Sequence, residues 1–154
     1  MCSICGIIDF KARPDTEICK RMGSVMKSRG PDATEYFCDE FVALHHNRLS
    51  VMDPQNGRQP MSANFNGREY VIVYNGEIYN SPDLRKELKL YGATFKTNCD
   101  TETVLWSYII FGEECPEKLN GIFSFAVYDV TEKKVFLVRD RLGVKPLFYA
   151  LCGT

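Results

Sequence analysis

The segment Ile122-Phe123-Ser124-Phe125-Ala126-Val127-Tyr128 constrains this chain more than any other. It is β-prone and almost wholly apolar, without the apolar–polar alternation of a strand that keeps one face in water. Such a strand has to be covered on both faces. Two sheets stacked face to face, with helices on the outside, would provide that cover. The downstream Thr131-Glu132-Lys133-Lys134 turn leads into Val135–Arg139 and predicts a hairpin.

The remaining pattern agrees. Ile4–Phe10 reads as a short strand. Thr16–Lys27 carries Ile18, Met22, Val25 and Met26 at helical spacing and breaks at Arg29-Gly30-Pro31-Asp32. Tyr36–Cys38 and Phe41–His45 read as strands around Asp39-Glu40, and Asp53–Pro60 as a loop. Tyr70–Tyr74 is a strongly β-prone run that stops at the turn pair Asn75-Gly76. Ser81-Pro82 offers a cap and a first-turn proline for a helix carrying Leu84, Leu88 and Tyr91 and ended by Gly92. Asp100 or Thr101 opens another helix, with Val104, Leu105, Tyr108 and Ile109, which stops at Gly112. Leu147–Leu151 is expected to be a last strand. Strands, helices and strands again make an α+β chain with substantial sheet.

With 154 residues one domain is the default. Net charge is −1, so electrostatics gives no case for nucleic acid or an anionic membrane surface. No apolar run reaches spanning length. Asp9, Lys11 and Arg13 interrupt the first residues too early for a signal peptide, and a cytoplasmic protein is expected. The seven cysteines are odd in number and irregularly spaced, which predicts free thiols. Cys2-x-x-Cys5 has no second pair at zinc-finger spacing, and His45 and His46 would face opposite ways in a strand. No metal site is expected.

Cys2 carries the chemistry. If Met1 is removed, one residue holds both a thiol and an α-amine. The thiolate is the reactive form of cysteine. An α-amine titrates near neutrality, unlike a lysine amine, and can serve as the base for its own thiol.

Several segments support this in order: Met1-Cys2-Ser3-Ile4-Cys5-Gly6, Arg29-Gly30-Pro31-Asp32, Asn47-Arg48-Leu49-Ser50-Val51, Gln59-Pro60-Met61, Asn75-Gly76-Glu77-Ile78-Tyr79-Asn80, Asp100-Thr101-Glu102, Leu119–Ala126 and Arg139–Leu147. Together they resemble the glutaminase domain of class II glutamine amidotransferases, a branch of the N-terminal nucleophile hydrolases. Asn-Gly-Glu-Ile-Tyr-Asn and Arg-Leu-Ser-Val look most like the glutamine-hydrolysing asparagine synthetases.

The resemblance implies a four-layer αββα sandwich of two mainly antiparallel sheets over residues 1–154. It implies hydrolysis of glutamine to glutamate and ammonia through a glutamyl thioester on Cys2. Asn75 and Gly76 would bind the oxyanion. Arg48 would grip the α-carboxylate, with Leu49 and Val51 of the same segment also substrate-binding, and Glu77 and Asp100 would stand near the α-ammonium. Read without the family, Asn75-Gly76 is a β-turn, Asp100 a helix cap and Arg48 a charge at a strand end.

Arg29–Asp32, Arg139-Asp140 and Lys145-Pro146-Leu147 are assigned to structure. No cofactor is implied for this domain. ATP and Mg belong to a synthetase domain that would use the ammonia to make asparagine from aspartate. No Ser-Gly-Gly-x-Asp-Ser segment is present, so that domain would be supplied covalently or in trans. The glutaminase domain itself is expected to be C-terminally truncated, and a homodimer is left open. Two other readings remain: ammonia delivered to a sugar or nucleotide precursor, and a silent binding or regulatory relic of the fold. The chain departs from the family at Ser3, usually glycine, where a side chain would narrow the site or add a hydroxyl hydrogen bond, and at Ser28, often histidine.

Overall fold

The computed structural model describes residues 1–152. Seven strands form two antiparallel sheets. Strands β1 (Ser3–Ile8), β2 (Ala33–Cys38) and β3 (Val42–Arg48) pair in the order β1-β3-β2. Strands β4 (Met61–Phe65), β5 (Arg68–Ile78), β6 (Gly121–Asp129) and β7 (Lys134–Arg139) pair in sequence order. Helix α1 (Thr16–Val25) covers the first sheet. Helices α2 (Ser81–Leu90) and α3 (Asp100–Phe111), followed by the short α4 (Cys115–Lys118), cover the second.

The doubly covered strand is β6. Phe123, Phe125 and Val127 join Tyr70, Ile72 and Tyr74 of β5 against Leu84 and Leu88 of α2 and Val104 and Leu105 of α3. The intervening Ala126 and Tyr128 join Val71 and Val73 against Val42 and Leu44 of β3. Successive side chains of one strand thus serve two cores, which is why the run shows no alternation. The layers are helix, sheet, sheet, helices: the expected αββα sandwich.

Parity also orders the first sheet. Val42, Leu44 and His46 of β3 face the second sheet, whereas His45 and Asn47 meet α1. Gly23 of α1 has no room for a Cβ, which would fall 2.1 Å from the His45 ring. Asn47 donates from Nδ2 to the carbonyl of Gly23 at 2.8 Å. On β1, Ile4 packs into the core between the sheets, and Ser3 and Cys5 face α1.

Three expectations need correction. The strand that begins at Tyr70 runs on through Asn75-Gly76 to Ile78, paired Asn75 to Ser124 and Gly76 to Phe123, so this pair is not a turn. Its apolar neighbours on β6 extend the ladder past the local turn chemistry. Ser81 does not cap α2 through its side chain: its hydroxyl is 2.8 Å from that of Thr103, tying α2 to α3. Leu147–Leu151 is not a strand. Its backbone meets no neighbouring strand among the described residues, and Phe148, Tyr149 and Leu151 are largely exposed. Strand β4 and helix α4 were not expected at all. The cap of α1 is Asp15, which accepts from the N–H groups of Glu17 at 2.8 Å and Ile18 at 3.1 Å.

Candidate active site

Cys2 precedes β1 and, by parity with Ile4, faces the second sheet. The register that pairs Ser3 with Asn47 sets Cys2 across from Arg48. The backbone N–H of Leu49 donates to Cys2 Sγ at 3.4 Å. Ser3 points the other way. Its hydroxyl donates to the carbonyl of Met26 at 3.3 Å and accepts from Asn47 Nδ2 at 3.1 Å. Of the two expectations for Ser3, the hydroxyl hydrogen bond is found and the narrowing of the site is not, because strand alternation turns this side chain toward α1.

A cavity of about 150 Å³ opens where Cys2 meets the end of β5. All eight residues singled out from the sequence line it: Cys2, Arg48, Leu49, Val51, Asn75, Gly76, Glu77 and Asp100. They come from four separate segments, brought together at one end of the facing sheets.

The end of β5 is an open edge. Strand β4 pairs with it only as far as Ile72, and beyond that side chains replace the missing strand. The N–H of Tyr74 donates to Gln59 Oε1 at 2.7 Å, and that of Ile78 to Asp100 Oδ2 at 3.0 Å. Gly76 lies between them with the same orientation. Its partner Phe123 turns its own N–H and C=O to Asp140, so no protein acceptor meets the Gly76 N–H among the described residues. This glycine does not take a left-handed conformation. It is needed for closeness, since a Cβ would lie 2.5 Å from the carbonyl oxygen of Ile122. Asn75, on the face toward the first sheet, keeps its side-chain amide free of protein partners among the described residues.

Asp100 is the first residue of α3 and not its cap, which is Cys99. Besides the Ile78 N–H, its Oδ2 accepts the Tyr74 hydroxyl at 2.7 Å. Burial, and next the Asp100 charge, push the Tyr74 hydroxyl far above its ordinary range, so it remains the donor. Gln59 also donates from Nε2 to Thr101 Oγ1 at 3.1 Å, which ties the β5 edge to the start of α3.

Arg48 is buried rather than a surface charge. Nη1 donates to the carbonyl of Pro54 at 2.8 Å, and Nη2 to those of Met52 at 3.0 Å and Asp53 at 2.8 Å. Its guanidinium therefore organises the loop carrying Val51 and Met52. Nε and one Nη1 hydrogen are left for other acceptors. The loop is also held by Asp53, whose Oδ2 accepts the Asn98 N–H at 2.8 Å. That bond leads in keeping the Asp53 carboxyl below its usual range.

The cavity thus joins a thiol, two free donors, the cations Arg48 and Lys145, and the anions Glu77 and Asp100. Lys145 was assigned to structure, and Gln59, Tyr74 and Thr101 were not candidates. The sequence signalled Gln59 and Lys145 only as parts of motifs, and nothing local shows which side chains reach a cavity. Among the described residues no cluster of His, Cys, Asp and Glu could hold a metal ion. Among the same residues no helix is long and apolar enough to cross a membrane.

Asparagine synthetase [glutamine-hydrolyzing] 3 of Bacillus subtilis is 46% identical over 156 residues, covering 100% of this chain and 25% of the relative. The corresponding enzyme of Zea mays is 34% identical over 151 residues, covering 94% of this chain and 25% of the relative. The chain thus spans about a quarter of these relatives. Among solved structures, glutamine phosphoribosylpyrophosphate amidotransferase from B. subtilis superposes with a TM-score of 0.59 at 20% identity, over 71% of this chain and 25% of that one; at this identity the likeness shows the fold. The model of the glutamine amidotransferase domain matches residues 1–153, and the chain belongs to that family.

Proposed function

We propose that this domain hydrolyses glutamine to glutamate and ammonia with Cys2 as nucleophile, once Met1 has been removed. The observation that carries the reading is the cavity in which Cys2 faces the two unengaged donors of Asn75 and Gly76, between charges suited to a free amino acid.

The α-amine of Cys2 takes the thiol proton and the thiolate attacks the side-chain amide carbon of glutamine. The electrons of the C=O bond move to oxygen, and Asn75 Nδ2 and the Gly76 N–H donate hydrogen bonds to the developing oxyanion. Collapse breaks the C–N bond, and the protonated amine returns its proton to the departing nitrogen as ammonia. Water, deprotonated by the same amine, then attacks the thioester carbonyl. The thiol is regained and glutamate leaves. The free hydrogens of Arg48 suit the α-carboxylate. Glu77 and Asp100 suit the α-ammonium, with Leu49 and Val51 bounding the entrance. Both carboxylates lie opposite Arg48 in charge, so the site discriminates a zwitterion from a simple amide.

In the whole protein the ammonia would serve ATP-dependent conversion of aspartate to asparagine in a synthetase domain, covalent or in trans, where ATP and Mg act. Support comes from the relatives' names and from the quarter of their length that this chain spans.

The test is glutamate release from glutamine by protein whose N-terminus is Cys2 by intact mass. Glutamate and ammonia should form in equal amounts. Cys2→Ala should abolish both, and so should retention of Met1, which places the α-nitrogen in a peptide bond. Undiminished turnover by either form would overturn the mechanism.

A further inference from the structure

Lys145 is a buried cation without a carboxylate partner among the described residues. Its backbone is fixed on both sides: its N–H donates to Asp140 Oδ2 at 2.9 Å, and its carbonyl accepts from Arg139 Nε at 2.9 Å. Its Nζ lies in the wall of the Cys2 cavity, 2.6 Å from Met1 Sδ. A thioether is a weak acceptor and leaves with Met1. A buried ammonium is costly unless its charge is used or answered. Here the contact its Nζ makes is to the first residue.

We propose that Lys145 is a positioning residue whose fixed positive charge sets the protonation of the N-terminal cysteine. After Met1 is lost, the ammonium and the new α-amine share one cavity. Like-charge repulsion favours the neutral amine, which is the base, and attraction favours the thiolate. Both effects move the active pair toward lower pH.

The other groups facing this centre come from each wall. Arg48 stands at the end of β3, Glu77 and the protonated Tyr74 on β5, Cys99 and Asp100 at the start of α3, and Arg139 and Asp140 at the end of β7. Burial opposes the Asp140 charge, but the backbone N–H groups of Lys145, Val144 and Phe123 outweigh it and hold the carboxyl below its usual range. Asp140 thus stays anionic and bound to the backbone. All of these groups are unchanged when position 145 alone is altered, so a difference isolates the lysine.

The inference rests on Cys2 being the nucleophile, and one experiment separates the two claims. In protein beginning at Cys2, the rate of alkylation by the neutral reagent iodoacetamide is followed against pH, site by site, by mass spectrometry. Lys145→Met should raise the Cys2 midpoint by roughly half a unit to one unit, and Lys145→Arg should leave it in place. Lys145→Gln is the second neutral variant, read in the same way wherever circular dichroism shows methionine to disturb the fold. Coincident midpoints for wild type and the neutral variants, or a downward shift, overturn the role of Lys145. Wild-type Cys2 reacting no faster than the exposed Cys152 overturns the nucleophile reading, and this inference with it.

Discussion

At Asn75 and Gly76 the chemistry depends on what is missing. Among the described residues the β5 edge has no partner strand there, and the donors on either side are engaged by Gln59 and Asp100. Asn75→Ala should lower kcat for glutamine hydrolysis by about 100- to 1,000-fold with much less change in KM, measured by steady-state glutamate release. A change confined to KM would remove Asn75 from the oxyanion site. Tyr74→Phe takes one of two donors from Asp100 Oδ2 without leaving a cavity. It should raise KM for glutamine several-fold and leave kcat largely intact, if its partner Asp100 binds the α-ammonium as proposed. The residue types at these positions were readable from the motifs. The opposite directions of Cys2 and Ser3 follow from strand parity, and the role of Gly76 as a point of close approach needed the neighbouring strand.

Among the elements, α1 and the loop after β3 make a useful contrast. The Asp15 cap is exposed and distant from the cavity lining. Asp15→Ala should lower unfolding stability by about 1 kcal/mol in urea titration and leave glutaminase kinetics unchanged. Arg48→Lys keeps the charge but replaces a planar fork with a point donor, which cannot hold the three carbonyls of Met52, Asp53 and Pro54 together. Limited proteolysis should cut this loop faster in the variant, and KM should rise. A loop equally resistant in both proteins would contradict its anchoring by Arg48. Sequence periodicity located α1 and α2, whose apolar positions recur with the helix, whereas α3, buried at every position from Asp100 to Tyr108, was bounded by its start and stop signals. It marked a strand at Leu147–Leu151 that is not formed, because these apolar residues find no strand beside them among the described residues. Nor could it carry β5 through a turn-prone Asn-Gly, where pairing with β6 outweighs local preference.

For the whole molecule, the interface between the sheets carries a pH dependence. His46 is buried there, its Nε2 3.2 Å from the carbonyl of Tyr74. Burial first, partly offset by that hydrogen bond and reinforced by the Arg48 charge, lowers its pKa from 6.5 to about 4. The native state therefore holds a neutral ring while the unfolded chain takes up a proton below pH ~6.5. The stability from this group is complete above pH ~6.5 and is lost as pH falls toward about 4, by at most roughly 3 kcal/mol. Urea midpoints measured from pH 7.5 to 4 should fall in that window, and less steeply in His46→Gln. Equal slopes would show that the ring does not stay neutral in the fold.

The sequence by itself pointed to the layered architecture and named eight of the residues that line the cavity. A strand apolar at successive positions demands cover on both faces, and a set of ordered motifs carries residue identities wherever the chain places them. Only the tertiary structure decided which of those residues share a wall with Cys2, which donors are already engaged and which are free. It also placed Lys145 beside the first residue. Periodicity records which face a side chain takes along its own element; hydrogen-bond partners and shared cavities arise between elements distant in sequence.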